Sequence, residues 1–186
     1  MLKLGKRVGN GMILMPNIRL AIQKDIKEIM EVIQDAKDLL KASGSLQWNL
    51  PDNYPHQETI VNDINNQVLY VYDDNDKILG IIAILGHDEN YDEIEGKWLS
   101  EEKYLSLHRI AVRNNYHHMK ISDKLLAFAL EYAKDQNISS IKVDTHEKNL
   151  PMQKVLERNG YQYCGIIVLK RTATDNLRKA YEKKVI

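Results

Sequence analysis

Residues 105–126, LSLHRIAVRNNYHHMKISDKLL, constrain the fold more than any other stretch of this chain. An apolar strand carrying Leu107, Ile110, Ala111 and Val112 runs into a short polar turn and then into an amphipathic helix. Strand, turn and helix in immediate succession set a row of backbone N–H groups at a helix N-terminus. The first amides of a helix lack intrahelical partners, and its dipole favours negative charge there. His117, His118 and Lys120 in the turn can all face a phosphate. The chain reads as built to hold a phosphorylated ligand at its centre.

Composition narrows the rest. A length of 186 residues suits one domain with a proper core. Lys plus Arg and Asp plus Glu both number 26, so the formal net charge is zero. That balance gives no general pull toward nucleic acid or anionic membrane, and neither is expected as a partner. A single cysteine, Cys164, excludes an intramolecular disulfide and any multi-thiolate metal site. A reducing cytoplasmic location fits. No apolar run approaches the ~18 residues of a membrane span. Residues 1–15 combine basic and apolar residues but are interrupted by Gly5, Gly9 and Gly11. They lack the apolar core and cleavage site of a signal peptide and read as a flexible leader, with 16–186 as the single domain.

Periodicity predicts the elements in order. Residues 18–22 alternate as a strand, and 25–41 recur at three and four as a helix, with Gly44 past its end. Residues 48–55 are turn-rich, and a second helix covers 57–64. Strands over 68–72 and 77–85 flank the turn-forming cluster Asp73, Asp74, Asn75 and Asp76 and make a hairpin. Residues 87–103 form a long acidic connection. A strand over 104–112, a helix over 121–136 and a strand over 139–143 follow. A helix over 149–159 takes Asn149 as N-cap and has Pro151 in its first turn and Gly160 behind it. Two strands, 161–169 and 178–184, close the chain.

This order resembles the GNAT superfamily of N-acetyltransferases over about residues 18–186, and the tail, Tyr163-Cys164-Gly165-Ile166-Ile167 with Ala180-Tyr181-Glu182-Lys183, looks like its bacterial small-molecule branch. Ala111-Val112 stands at the strand end, residues 117–122 at the turn that the family writes R-G-x-G-I-G/A, and Leu125-Leu126 in the helix. Glu157, Arg158, Asn159, Gly160 and Tyr161 resemble its E-K-x-G-F ending. The resemblance implies an α/β single domain with a mixed, mostly antiparallel central sheet flanked by helices. It implies acetyl-CoA as co-substrate, no metal, and a small-molecule amine as acceptor; a homodimer is reasonable, with strand 178–184 available to pair between chains. Ile110, Ala111, Val112, His117, His118, Met119, Lys120, Ile121 and Ser122 are the implied cofactor contacts, joined by Asn149 for the pantetheine arm. This turn has His118, Lys120 and Ser122 where the family has glycine or alanine. The side chains fit if the turn keeps ordinary helical dihedrals, because amides do the binding. Exposed polar turn residues are the other reading.

Acetyl transfer to an amine needs a proton acceptor, a donor for the developing oxyanion and a departing thiolate. His108 is the best candidate base, since an imidazole of ordinary pKa near ~6.5 suits neutral pH. Strand alternation puts Ser106, His108 and Ile110 on one face and Leu107, Arg109 and Ala111 on the other. In the family the acceptor-side base sits at positions matching Ser106 or His108, so both are candidates; a buried, satisfied histidine is the alternative reading of His108. The family's general-acid tyrosine falls at Leu156, which cannot donate a proton. Tyr161, Tyr163 or solvent can substitute, or the thiolate leaves unaided. Trp48, Tyr54 and His146 are candidate acceptor contacts. The acidic loop with Asp88, Asp92, Glu93 and Glu95 reads either as a selector for a cationic amine or as a solvated surface. A non-catalytic CoA or acyl-CoA sensor is the alternative function.

Overall fold

The computed structural model describes residues 17–45, 47–49, 53–171 and 175–185; the leader expected over 1–15 lies outside them. Twelve elements organise the described residues. In chain order they are β1 (Ile18–Leu20), α1 (Ile26–Ala42), α2 (Gln57–Asn65), β2 (Leu69–Asp74), β3 (Lys77–Leu85), β4 (Glu95–Gly96), β5 (Tyr104–Val112), α3 (Ile121–Asp135), β6 (Ser140–Thr145), α4 (Leu150–Arg158), β7 (Gln162–Val168) and β8 (Leu177–Lys184). The strands form one sheet in the order β1-β2-β3-β5-β6-β8-β7-β4. Every pairing is antiparallel except β5 with β6.

The central strands are buried on both faces, which is why their sequences read as nearly continuous apolar runs. Along β2, Leu69 and Val71 enter one core while Tyr70 and Tyr72 enter the other. The first core lies under α1 and α2, where Ile29, Val32, Ile33 and Ile60 are essentially inaccessible. Each contributes about 1.5–3 kcal/mol by leaving water. The second core lies under α3 and α4, built on Leu79, Ile82, Leu107, Leu125 and Leu156. The β2–β3 hairpin turns at Asn75 and Asp76, both with positive φ, the backbone that a two-residue turn between twisted strands demands.

Two expectations change. The acidic connection contains a further strand, β4, which pairs with β7 through Glu95 opposite Ile166 and Gly96 opposite Gly165. A two-residue strand is too short to show a period. The last strand, β8, is not an edge: β6 and β7 flank it on both sides. Its backbone is therefore not available to pair between chains.

One glycine fixes how close α3 comes to the sheet. A Cβ on Gly80 would lie 2.8 Å from Ile121 Cγ2 and 3.1 Å from the Ala111 carbonyl oxygen. The missing side chain lets the first turn of α3 settle onto β3 and β5. Gly80→Ala is expected to lower stability by about 1–3 kcal/mol through overpacking, seen as an earlier denaturant midpoint; an unchanged midpoint would refute this account of the α3 seat.

Candidate active site

The parallel β5–β6 pairing begins at Tyr104 opposite Ser140 and stops at Leu107 opposite Val143. Beyond that point the strands separate. The facing backbone groups of residues 108–112 and 144–145 lose their ladder partners on that side, and a cleft of 310 Å³ opens between them. β3 still pairs with the other edge of β5, from Leu85 opposite Ser106 to Gly80 opposite Val112.

A bulge sits at the opening. Ala83 faces His108 and Ile81 faces Ala111, so β5 carries one residue more than β3. Arg109 takes the left-handed conformation there, with φ 51°. For a residue with a Cβ this costs about 1–2 kcal/mol. Arg109 Nε lies 2.6 Å from Asp63 Oδ2, its Nη2 donates to Asp63 Oδ1 at 3.0 Å, and its Nη1 donates to the Tyr54 hydroxyl at 2.5 Å. Arg109 thus ties the bulge to α2 and to the loop before it. The bulge also breaks the expected alternation. Leu107 and Ile110 pack toward α3, whereas Ala111 packs toward α1. His108 and Arg109, adjacent in sequence, both line the cleft.

His108 Nε2 lies 3.1 Å from Asp88 Oδ2. Asp88 Oδ1 accepts from the Asn90 amide at 2.8 Å and from Asn90 Nδ2 at 2.6 Å, which fixes the carboxylate. Burial opposes ionisation of Asp88, but hydrogen bonds from His108 and the Asn90 amide prevail and bring its pKa down to about 2. Tyr91 stacks on the His108 ring with centroids 6.1 Å apart, and its hydroxyl donates to Asp144 Oδ1 at 2.8 Å. With Nε2–H given to Asp88, Nδ1 is the basic nitrogen.

The remaining candidates divide. Trp48, Tyr54, Ile110, Ala111, Val112, Ser122 and Asn149 line the same cleft as His108. Asn149 also caps α4, its Oδ1 accepting from the Met152 amide at 3.3 Å. Ser106 does not reach the cleft: it is fully buried and its hydroxyl donates to the Gly86 carbonyl at 2.7 Å. His146 is also buried outside the cleft lining. Its Nδ1 accepts from the Lys148 amide at 3.0 Å, leaving Nε2–H for Asp175 Oδ1 at 2.7 Å. The strand alternation and motif spacing that singled these residues out say nothing of the long-range partners that occupy them. Tyr161 is buried in the core and Tyr163 projects outside the cleft, so neither replaces the tyrosine that Leu156 lacks. Within the acidic loop only Asp88 and Asn90 reach the cleft; Asp92 pairs with His87, and Glu93 and Glu95 are exposed. Sequence reasoning missed Tyr91, which packs on the His108 ring, and the late arginines Arg171 and Arg178 of the cleft lining, none of which a motif marks.

The turn ahead of α3 contributes mainly backbone. The Ile121 side chain is buried in the core and Met119 packs against it, while His118 and Lys120 are exposed; the side chain of His117 lies outside the described residues. Among the described residues no side chain caps α3, so its first amides face outward. Asp123, the acidic residue of that first turn, is held instead by Arg158 at 2.5 Å. Lys120 has φ 51° and ψ 40°, not helical dihedrals. The expectation of an ordinary helical turn is therefore corrected: the backbone keeps the conformation natural to glycine, with lysine in it. Lys120→Gly is expected to raise stability by about 1 kcal/mol, while Lys120→Ala should not; equal denaturant midpoints for both variants would refute the strain.

The comparisons agree with this geometry. The model of the acetyltransferase (GNAT) family matches residues 33–161. The crystal structure of a GNAT-family acetyltransferase from Streptococcus agalactiae 2603 is 37% identical, with TM-score 0.81, covering 90% of this chain and 94% of that one. A candidate acetyltransferase from Staphylococcus aureus Mu50 is 26% identical, with TM-score 0.68 and coverage of 91% and 99%. A GNAT-family acetyltransferase from Listeria monocytogenes 4b F2365 shares the fold at TM-score 0.67 and 22% identity, with coverage of 90% and 93%. Among curated proteins, none matches this sequence. With its splayed β5–β6 pair, bulged β5 and uncapped α3, the chain belongs to the GNAT family of acetyltransferases and is an acyl-CoA N-acetyltransferase.

Proposed function

We propose that the protein transfers the acetyl group of acetyl-CoA to the primary amine of a small molecule, with His108 as proton acceptor and Asp88 as its partner. The observation that carries this reading is the His108–Asp88 contact of 3.1 Å on the wall of the cleft between β5 and β6.

Acetyl-CoA supplies a thioester whose carbonyl carbon is open to attack. The fit of the cleft to it rests on three features. The open edges of β5 and β6 offer peptide groups to the amides of the pantetheine arm. Ser122 and Asn149 line the cleft near the start of α3 and α4. The uncapped amides of α3 and the ammonium of Lys120 meet the diphosphate with charge-assisted hydrogen bonds.

His108 takes the proton from the attacking ammonium or amine and passes it to solvent. The amine nitrogen forms its bond to the acetyl carbon as the carbon–sulfur bond breaks. The departing thiolate is a weak base, with an ordinary thiol pKa near ~8.5, and leaves without a tyrosine donor. Asp88 orients the imidazole and stabilises the imidazolium. Because its carboxyl sits near 2, Asp88 remains ionised throughout the neutral range. Its depressed pKa gives a stabilising contribution present above the ordinary carboxylate value of about 4 and lost as pH falls toward 2.

Calorimetric titration with acetyl-CoA, followed by thiol-release assays on a panel of amines, tests the reading. His108→Gln is expected to lower kcat/KM by about 10²–10⁴ while acetyl-CoA still binds. Asp88→Asn is expected to lower kcat/KM about tenfold or more while acetyl-CoA still binds, because the imidazole loses the partner that orients it. Saturable binding without transfer to any amine would overturn the catalytic reading. Unchanged kcat/KM in His108→Gln would remove that residue as the base.

A further inference from the structure

The two partners of His108 are themselves held from behind. Asp88 and Tyr91 lie in the connection between β3 and β4, whose regular structure is one short helical turn, Glu89–Tyr91. Two aromatic residues further along the chain set their place. The Asp88 amide donates to the Tyr104 hydroxyl at 3.1 Å. The Trp98 indole N–H donates to the Tyr91 carbonyl at 3.0 Å, and the centroids of the Trp98 and Tyr91 rings are 5.4 Å apart.

Those two aromatic residues close on one buried cation. Lys142, on β6, is 4% exposed. Its Nζ lies 4.3 Å from the centroid of the Trp98 ring and 4.1 Å from that of the Tyr104 ring. An ammonium between two ring faces is attracted by both, and more strongly once water is excluded. Lys142 stands opposite Glu182 of β8. Glu182 is fully buried; it accepts from the Ser140 hydroxyl, and its Oε2 accepts from the Leu99 amide at 2.6 Å. The carboxylate thus fastens the residue after Trp98 to the sheet, and its charge supports the ammonium.

Lys142 does not line the cleft, so its charge takes no direct part in the chemistry. A buried charge is costly unless its surroundings compensate it. Here the compensating groups are the same two rings that fix Asp88 and Tyr91. Two routes therefore run from the cation to the imidazole. One passes through the Tyr104 hydroxyl and Asp88, whose carboxylate meets His108 Nε2. The other passes through the Trp98 indole and Tyr91, whose ring stacks on the His108 ring.

We propose that Lys142 is a positioning residue: its ammonium clamps Trp98 and Tyr104, and through them Asp88 and Tyr91 keep the His108 imidazole aligned. This rests on the reading of His108 as the base. A small displacement of either route is felt at His108 as lost alignment, which lowers turnover and leaves cofactor affinity intact.

The test measures kcat by thiol release with the fastest amine of the panel, acetyl-CoA affinity by calorimetry, and amide hydrogen exchange across residues 88–99. Lys142→Met keeps the length of the stem and removes the charge. It is expected to lower kcat about tenfold or more and to speed exchange at Asp88, Asn90 and Leu99, with acetyl-CoA affinity unchanged. Lys142→Arg should keep most of kcat, because a guanidinium also stacks on aromatic faces. In an Asp88→Asn background Lys142→Met should cost much less than in the parent, because the partner it positions is already lost. Trp98→Phe and Tyr104→Phe keep a ring on the ammonium and delete one hydrogen bond each. Each should show part of the loss, and they carry the test if Lys142→Met does not fold. Unchanged kcat in Lys142→Met, a loss of equal size in both backgrounds, or full activity of both phenylalanine variants overturns the positioning role alone. Unchanged kcat/KM in His108→Gln overturns the base reading instead, and the exchange rates still report whether Lys142 holds the segment.

Discussion

Everything at the site depends on the point where β5 and β6 stop pairing. A parallel ladder buried on both faces would normally continue to the strand ends, because an unpaired buried peptide group is costly. Here it stops at Leu107 and Val143. The released backbone faces a cleft instead of a neighbour. A bulge accompanies the separation, and Arg109 occupies its left-handed position. The energy of that conformation is offset by the contacts of Arg109 with Asp63 and Tyr54. The bulge turns His108 and Arg109 onto the same wall, where Arg109 is held by structural contacts and His108 is the proposed base.

The second constraint is the height of α3 above the sheet. Gly80 leaves room for Ile121 and Leu125 to seat directly on β3. That seat fixes the helix N-terminus beside the end of β5, a place whose outward amides suit an anion. The turn before it keeps a left-handed residue at Lys120 although no glycine remains there. A lysine in this conformation carries strain, but in the proposed reading it also supplies an ammonium for the diphosphate. Conformation and charge thus pull in opposite directions at one residue.

Much of the fold was legible because it is local. The alternating and three-four patterns marked the helices and all but one of the strands, and Asn149 was recognisable as a cap from residue type and position. The hairpin turn was readable from its Asp and Asn residues. The site was legible only in part. His108 stood out as an imidazole on the central strand, but its partner Asp88 lay in a loop rich in acidic residues, and nothing local distinguished it from Asp92 or Glu93. Ser106 and His146 look equally polar in sequence. Burial and hydrogen bonds to Gly86 and Asp175 remove them from the cleft.

The sequence by itself determined the order of nearly all the elements, the apolar faces of the helices, the strand–turn–helix unit of residues 105–126, and the family resemblance. These follow from short-range periodicity and from residue types with strong backbone preferences. Only the tertiary structure decided which faces the bulged strand shows, because one extra residue reverses every side chain beyond it. Only it brought Asp88 to His108, Tyr54 to Arg109, and Arg171 to Tyr54. These partners are separated by tens of residues, and their meeting is set by how the sheet and helices pack rather than by any pattern along the chain.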